Sequence, residues 1–322
     1  LFGFSLYMLF SIARYYEADL KYASADRYSH SGDYQSAATL LQDALNLHSD
    51  HVYQDKLSYT LSNLAYLAAY QKEDVVHAFT NEPLVLWVMI PAEVIEEQID
   101  EWLELIPAGS IIIDGGNSDF RGDKSRAERV TAQGSTLLDV GTSGGVWGYE
   151  NGFSMMVGGE RKAFETVEPA LKTLAAPGGA YDLFGPNGAG HYVKMVHNAI
   201  EYGMMESLAE GYRMLREGPI EGIDLAAAGD VWQHRSVVTS WLNELTRDAL
   251  RENPTLDGID GFVAESGEAR WTLEVARAHN IPLPAIQTSF DVRVASQKGE
   301  VNFTTKLLAA MRNKFGGHAL NK

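Results

Sequence analysis

The chain of 322 residues contains no cysteine. That excludes disulfides, thiolate metal sites and cysteine nucleophiles, and it fits a cytoplasmic protein. Basic residues are scarce: 26 Lys and Arg stand against 43 Asp and Glu, for a net charge of −17. Such a surface has no general attraction for nucleic acid or an anionic membrane, so an anionic substrate would need a local cationic pocket. No apolar run reaches the ~20 residues that span a bilayer. Residues 1–13 are apolar, start with Leu and lack the basic start of a signal peptide. They are expected to form a buried helix or the end of a truncated membrane helix. Proline is absent before Pro83, and Gly32 is the single glycine between residues 14 and 75. No G-x-G-x-x-G occurs anywhere; the nearest fragment, Gly188-Ala-Gly190, has Val193 in the third glycine's place.

Without proline or glycine to interrupt it, the stretch up to residue 75 is expected to be helical throughout. Tyr28, then Gly32-Asp33-Tyr34, Ala37, Ala38, Leu41, Ala44-Leu45 and Leu47 give a helix–turn–helix pattern. Its spacing resembles a tetratricopeptide repeat. A second helix pair is expected over 51–71, and the tyrosines Tyr15, Tyr16, Tyr22, Tyr28 and Tyr34 are expected in a core or an interface. A generic helical hairpin is the plainer alternative.

The texture changes near residue 75. Apolar runs at 84–90, 111–114, 137–140, 153–157 and 180–184 alternate with helical patterns at 92–105, 121–133 and 161–174. Strand–helix alternation with unbroken apolar strands predicts a mostly parallel, doubly wound sheet, with ligands at the strand C-terminal ends. The Gly-rich tips at 115–118 and 141–145 belong there. From Gly190 the pattern is helical to about Leu308. Three segments follow: a helical one over 1–75, an α/β one over 83–184 that is an incomplete Rossmann-like sheet, and an all-α one over 185–322.

Between the last two lies Gly185-Pro-Asn-Gly-Ala-Gly-His-Tyr-Val-Lys-Met-Val-His-Asn-Ala-Ile-Glu-Tyr-Gly203. Three glycines in six residues open it, and a helix follows. Lys194, His197, Asn198 and Glu201 then share one face, at spacings of 3, 4 and 7 from Lys194. Val193, Val196 and Ile200 form an apolar stripe expected to bury the other side. Lys194 and Glu201 would lie roughly 10 Å apart along the axis, the length of a small polyol phosphate held between a base and an acid. His191 is expected to be structural.

Six motifs together resemble the decarboxylating 6-phosphogluconate dehydrogenase family, in its short-subunit form, over residues 83–318. They are Ile113-Asp-Gly-Gly-Asn-Ser118, Asp139-Val-Gly-Thr-Ser-Gly-Gly-Val-Trp-Gly148, Met156-Val-Gly-Gly159, the 188–203 stretch, Ala269-Arg-Trp-Thr272 and Arg312-Asn-Lys-Phe-Gly-Gly-His318. The resemblance implies oxidation and decarboxylation of 6-phosphogluconate to ribulose 5-phosphate and CO2, with NADP or NAD as hydride acceptor. It makes Lys194 the general base at the C3 hydroxyl and Glu201 the acid that protonates C1 of the product. It assigns substrate contacts to Asn117, Ser143, Gly144, Gly145, His197, Asn198, Tyr202, Arg270 and Thr272, and a phosphate contact to Arg293. Arg270 stands where many members have Lys. Arg312 and His318 would reach into a neighbour's site in a homo-oligomer. Ile90, Pro91, Ala92 and Asn117 are what remains of the cofactor site. No metal is implied.

The family's opening strand and G-x-G-x-x-G loop have no counterpart here. The tetratricopeptide-like segment takes their place, with a seam expected between residues 72 and 83. A second possibility therefore stays open: a fused remnant that binds a sugar phosphate or a protein partner but transfers no hydride. Weak or absent turnover is the expectation, since the loop supplies several hydrogen bonds and a helix-terminus interaction.

Overall fold

The structure, a computed structural model, describes residues 17–47 and 83–317. The second helix pair expected at 51–71, the apolar residues 1–13, the seam ahead of Pro83 and His318 lie outside the described residues. The chain divides into two units, Leu1–Glu82 and Pro83–Lys322.

The described part of the first unit is a helical hairpin. Helix α1 covers 17–30 and α2 covers Tyr34–Leu47. Gly32 turns the chain with φ 84°, and the Asp33 carboxylate accepts the Ser36 N–H at 3.1 Å, which caps α2. The two helices meet through Ala18, Ala25, Ala37, Leu41 and Ala44, all fully buried. Four alanines in that seam let the backbones approach closely. Of the tyrosines expected in a core or an interface, Tyr22 packs against the seam, Tyr28 is exposed, and Tyr15 and Tyr16 lie outside the described residues.

The second unit carries a five-stranded sheet in the order β1-β2-β3-β4-β5. The strands are β1 (Val85–Val88), β2 (Ile111–Asp114), β3 (Thr136–Ser143), β4 (Ser154–Gly159) and β5 (Ala180–Gly185). β1, β2 and β3 are parallel, β4 runs antiparallel to β3, and β5 is parallel to β4. Helices α3 (Ile95–Leu103), α4 (Asp123–Ala132), the short α5 (Gly148–Asn151) and α6 (Arg161–Ala175) connect them.

Side chains alternate between the faces of a strand, and the isoleucines of β2 divide accordingly. Ile112 packs with Val88, Ile95, Ile99 and Val130 on one side. Ile111 and Ile113 pack with Leu138, Val157, Phe164 and Leu171 on the other. Both faces are covered, as the unbroken apolar runs predict. The first run differs from expectation. It is a four-residue strand rather than a buried one over 84–90, and Val85 and Met89 are 54% and 60% exposed. Among the described residues β1 pairs only with β2 and so forms the edge of the described sheet.

Six helices complete the unit: α7 (Ala189–Glu217), α8 (Leu225–Gln233), α9 (Trp241–Glu252), α10 (Glu268–Ala278), α11 (Pro284–Ser296) and α12 (Phe303–Gly316). Their starts carry the expected chemistry. Asp224, Ser240 and Asn302 each accept a hydrogen bond from a first-turn N–H, and Asn302 with Thr305 forms a capping box. Met205, Ala209 and Tyr212 of α7 enter a core with Leu250, Leu256, Leu307, Leu308 and Met311.

On that buried side of α7, Glu206 is 5% exposed. Burial pushes its carboxyl up from 4.5 to about 7, and Glu210 adds to the rise. The folded chain thus holds a proton that the unfolded chain releases near its ordinary value. The associated stability is whole below 4.5 and is lost as pH rises through about 7. Glu206→Gln, which stays neutral, is therefore expected to be more stable than the parent at pH 8 by roughly 1–2 kcal/mol and indistinguishable at pH 4. Urea unfolding at the two pH values measures the difference.

Candidate active site

Helix α7 begins on the sheet, and Asp139 of β3 fastens it there. One carboxylate oxygen accepts the Gly188 N–H at 2.8 Å and the other accepts the His191 N–H at 3.0 Å. A carboxylate at a helix N-terminus satisfies N–H groups that have no partner within the helix and meets the positive end of the helix dipole. His191 adds a second tie through Nδ1, 2.8 Å from a carboxylate oxygen of Asp123 on α4. Both partners of that pair are buried, and Arg126 closes on the other Asp123 oxygen at 2.8 Å. His191 is structural, as expected.

One and two turns along, α7 forms a wall of a cavity of about 830 Å³. Lys194, His197, Asn198, Glu201 and Tyr202 all line it, together with Asn117, Ser143, Gly144, Gly145, Arg293 and Arg312. Residues remote in sequence therefore converge on one site at the C-terminal ends of β2 and β3. The apolar stripe does not behave as expected. Val193, Val196 and Ile200 also line the cavity, and Ile200 is 51% exposed. The side of α7 that packs inward is instead formed by Met195, Ala199, Tyr202 and Met205.

The titrations of Lys194 and Glu201 are displaced toward each other. Lys194 is 5% exposed, and burial lowers its ammonium below the ordinary lysine range, against the pull of Glu201 and Glu268. Burial raises the Glu201 carboxyl, while Lys194, His197 and Arg293 oppose the rise. Desolvation penalises both charged forms, so a neutral amine and a neutral acid become accessible in one cavity.

The cationic end is formed by two arginines. Arg293 is fully buried, its guanidinium 3.3 Å from the centre of the Tyr202 ring, and burial lowers it to about 10. Its protein contacts are weak: the Ala264 carbonyl and the Met205 sulfur, each at 3.4 Å. Arg312 is also buried and lowered by burial. No carboxylate pairs with either among the described residues, so their donors remain for an anion. Arg312 stands on the wall of its own chain's cavity, whereas the expectation placed it in a neighbour's.

Other expected residues hold different posts. Asn117 lines the cavity at φ 56°, and its amide is bonded in both directions to the Thr142 backbone, at 2.8 Å and 3.2 Å. It clamps two strand tips together. An added Cβ at Gly145 would meet the Phe315 carbonyl at 2.1 Å, and Trp147 donates to the Lys314 carbonyl at 2.9 Å. The Gly144–Gly145 loop is thereby held against the end of α12. Thr272 is buried and its hydroxyl bonds the Glu268 and Met195 carbonyls. Arg270 is exposed and pairs with Glu265 at 3.3 Å. Neither lines the cavity. Ile90, Pro91 and Ala92 follow β1, and Gly116 sits so close to the Ile90 carbonyl that an added Cβ would lie 2.3 Å from it. Glu268 lines the cavity but was not foreseen. It immediately precedes the Ala269–Thr272 motif, and its signal was the adjacency alone.

A Rossmann-like sheet covered on both faces is joined to an all-helical domain whose first helix carries Lys194 and Glu201 into the cavity. Two family models match in tandem. The NAD binding domain of 6-phosphogluconate dehydrogenase matches residues 39–188, and the C-terminal domain of 6-phosphogluconate dehydrogenase matches 190–306. The first match begins inside α2 rather than at Pro83. The Bacillus subtilis (strain 168) protein YqeC, of 6-phosphogluconate dehydrogenase type, is 39% identical over 74% of this chain and 80% of its own length. The NAD(+)-dependent, decarboxylating 6-phosphogluconate dehydrogenase of Haloferax volcanii is 36% identical over 72% of this chain and 77% of its own. The solved 6-phosphogluconate dehydrogenase of Plasmodium falciparum superposes with a TM-score of 0.62 at 30% identity, over 68% of this chain and 49% of that one. This chain spans about half the length of that structure. The chain belongs to the 6-phosphogluconate dehydrogenase family.

Proposed function

We propose that the cavity binds 6-phosphogluconate and performs the proton transfers of its oxidative decarboxylation to ribulose 5-phosphate and CO2. The observation that carries this is the Lys194–Glu201 pair, Lys194 buried and Glu201 half-buried, displaced toward neutrality from both sides, in one cavity with two buried arginines that no carboxylate pairs among the described residues. Arg293 and Arg312 hold the phosphate. Lys194, as the free amine, takes the proton of the C3 hydroxyl as that carbon is oxidised. The 3-keto acid loses CO2 because its carbonyl accepts the electron pair, which leaves an enol. The Lys194 ammonium has meanwhile protonated the carbonyl oxygen. Glu201 then delivers its proton to the carbon that becomes C1, and the enol proton returns to Lys194.

The oxidation requires NADP or NAD, which accepts the hydride. Among the described residues, such a dinucleotide is met at the end where Asn117 and Thr142 reach the cavity. No G-x-G-x-x-G supplies the pyrophosphate cradle, and Gly116 lies close against the Ile90 carbonyl. No step above is routed through it. Loss of two or three interactions of about 1 kcal/mol each weakens dinucleotide binding roughly a hundredfold.

The final step, run backward, tests the chain's own residues without a dinucleotide. Ribulose 5-phosphate in D2O is expected to exchange hydrogen at C1 when the protein is added, as followed by proton NMR. Calorimetry is expected to register binding of 6-phosphogluconate. Absence of both would overturn the proposal. Binding without exchange would favour the sugar-phosphate-binding remnant. NAD(P)H formation from 6-phosphogluconate is expected to be slow and to need high dinucleotide concentration.

A further inference from the structure

Glu268 opens α10 and is 7% exposed. One of its carboxylate oxygens accepts the Asn198 side-chain amide at 2.8 Å, while the other, also buried, has no hydrogen-bond partner. Asn198 in turn stands 2.9 Å from Nδ1 of His197. We infer that Glu268 is a positioning residue that fixes the tautomer of His197.

The steps follow from donor and acceptor capacity. The Glu268 oxygen accepts from the Asn198 NH2, which fixes which end of that amide faces Glu268. Turning the amide over would place two oxygens 2.8 Å apart. The Asn198 oxygen must then face His197, and Nδ1 has to carry a hydrogen to bond it. In the neutral ring one nitrogen donates and the other accepts, so Nε2 is left with the lone pair. His197 lines the cavity, and Nε2 is its remaining acceptor for a hydroxyl of the ligand. That last step rests on the polyol phosphate proposed above; the tautomer does not. A long-range path thus runs from α10 to a ring on α7, between residues 268 and 197, with no contact between Glu268 and His197 required.

Nitrogen-15 NMR of the labelled full chain distinguishes the tautomers, at about pH 8.5, where an ordinary histidine is neutral. His197→Gln identifies the resonance by its loss. The wild-type chain is expected to show a protonated Nδ1 and an unprotonated Nε2. Glu268→Met keeps the side-chain length but replaces the carboxylate with a thioether, a far weaker acceptor, and is expected to lose this preference. Glu268→Gln can still turn an oxygen toward Asn198 and is expected to retain it. A wild-type ring protonated at Nε2 would overturn the inference, and so would a Glu268→Met chain that keeps the Nδ1–H form. The wild-type spectrum alone tests the assignment if the Met variant does not fold. Neither readout depends on turnover, so a chain inactive toward 6-phosphogluconate leaves this test intact.

Discussion

Lys194→Met is expected to lower C1 exchange of ribulose 5-phosphate by about 10²–10⁴-fold, the usual contribution of one general acid or base. Binding of 6-phosphogluconate should change far less, because Arg293 and Arg312 remain. Lys194→Arg should be equally inert: a guanidinium keeps its proton throughout the accessible pH range. The pH profile adds a stricter requirement. Exchange needs Glu201 as carboxylate and Lys194 as ammonium, so the rate rises as pH passes the Glu201 value and falls as it passes the Lys194 value. Burial has raised the first above 4.5 and lowered the second below 10.5, so the bell should be narrower on both sides than free side chains would give. Forward turnover needs the opposite pair, free amine and protonated acid. While the lysine value still lies above the carboxyl value, that pair is a minor form, and each unit by which the two approach raises its share tenfold. Burial of both groups therefore serves the forward direction. A bell with limbs at the ordinary values would remove this account of the site.

Helical spacing made the Lys194, His197, Asn198 and Glu201 face legible in the sequence, since 3.6 residues per turn fixes which side chains are neighbours. It could not tell which side of α7 meets the protein. Val193, Val196 and Ile200 looked like a core stripe, yet the inward side is Met195, Ala199, Tyr202 and Met205. The partners that decide this, β3, β4 and α12, are far away along the chain. The same limit applies to Glu268, which reaches Asn198 across 70 residues, and to Arg312, whose place in its own chain's cavity follows from where α12 ends. The strands were more legible. Ile111–Ile113 is a run of apolar residues buried on both faces and closed by the buried Asp114, and short fully buried strands show that pattern directly. Val85 and Met89, at the edge of the described sheet, are exposed where the unbroken apolar run pointed to burial.

Gly190→Ala is expected to destabilise the chain by about 2–3 kcal/mol and to abolish C1 exchange. In an exposed helix the substitution would help, since Ala is favoured over Gly by about 1 kcal/mol. Here α7 crosses β3 and β4 with its backbone almost touching theirs. An added Cβ would lie 2.4 Å from the Met156 carbonyl oxygen, 2.6 Å from that of Asp139 and 2.7 Å from the Gly158 nitrogen. All three are main-chain atoms of hydrogen-bonded strands, so no side chain can swing aside. The helix must lift, and the first bonds to stretch are those from Asp139 to the Gly188 and His191 N–H groups. Lys194 follows one turn later and shifts with them. Gly211 supplies the control within the same helix, because an added Cβ there meets nothing within 4 Å. Gly211→Ala is expected to raise stability by about 0.5–1 kcal/mol with exchange unchanged. Denaturant midpoints for the two variants should therefore move in opposite directions. If both rise, α7 does not sit on the sheet as closely as these distances require, and the fastening of α7 by Asp139 falls with it.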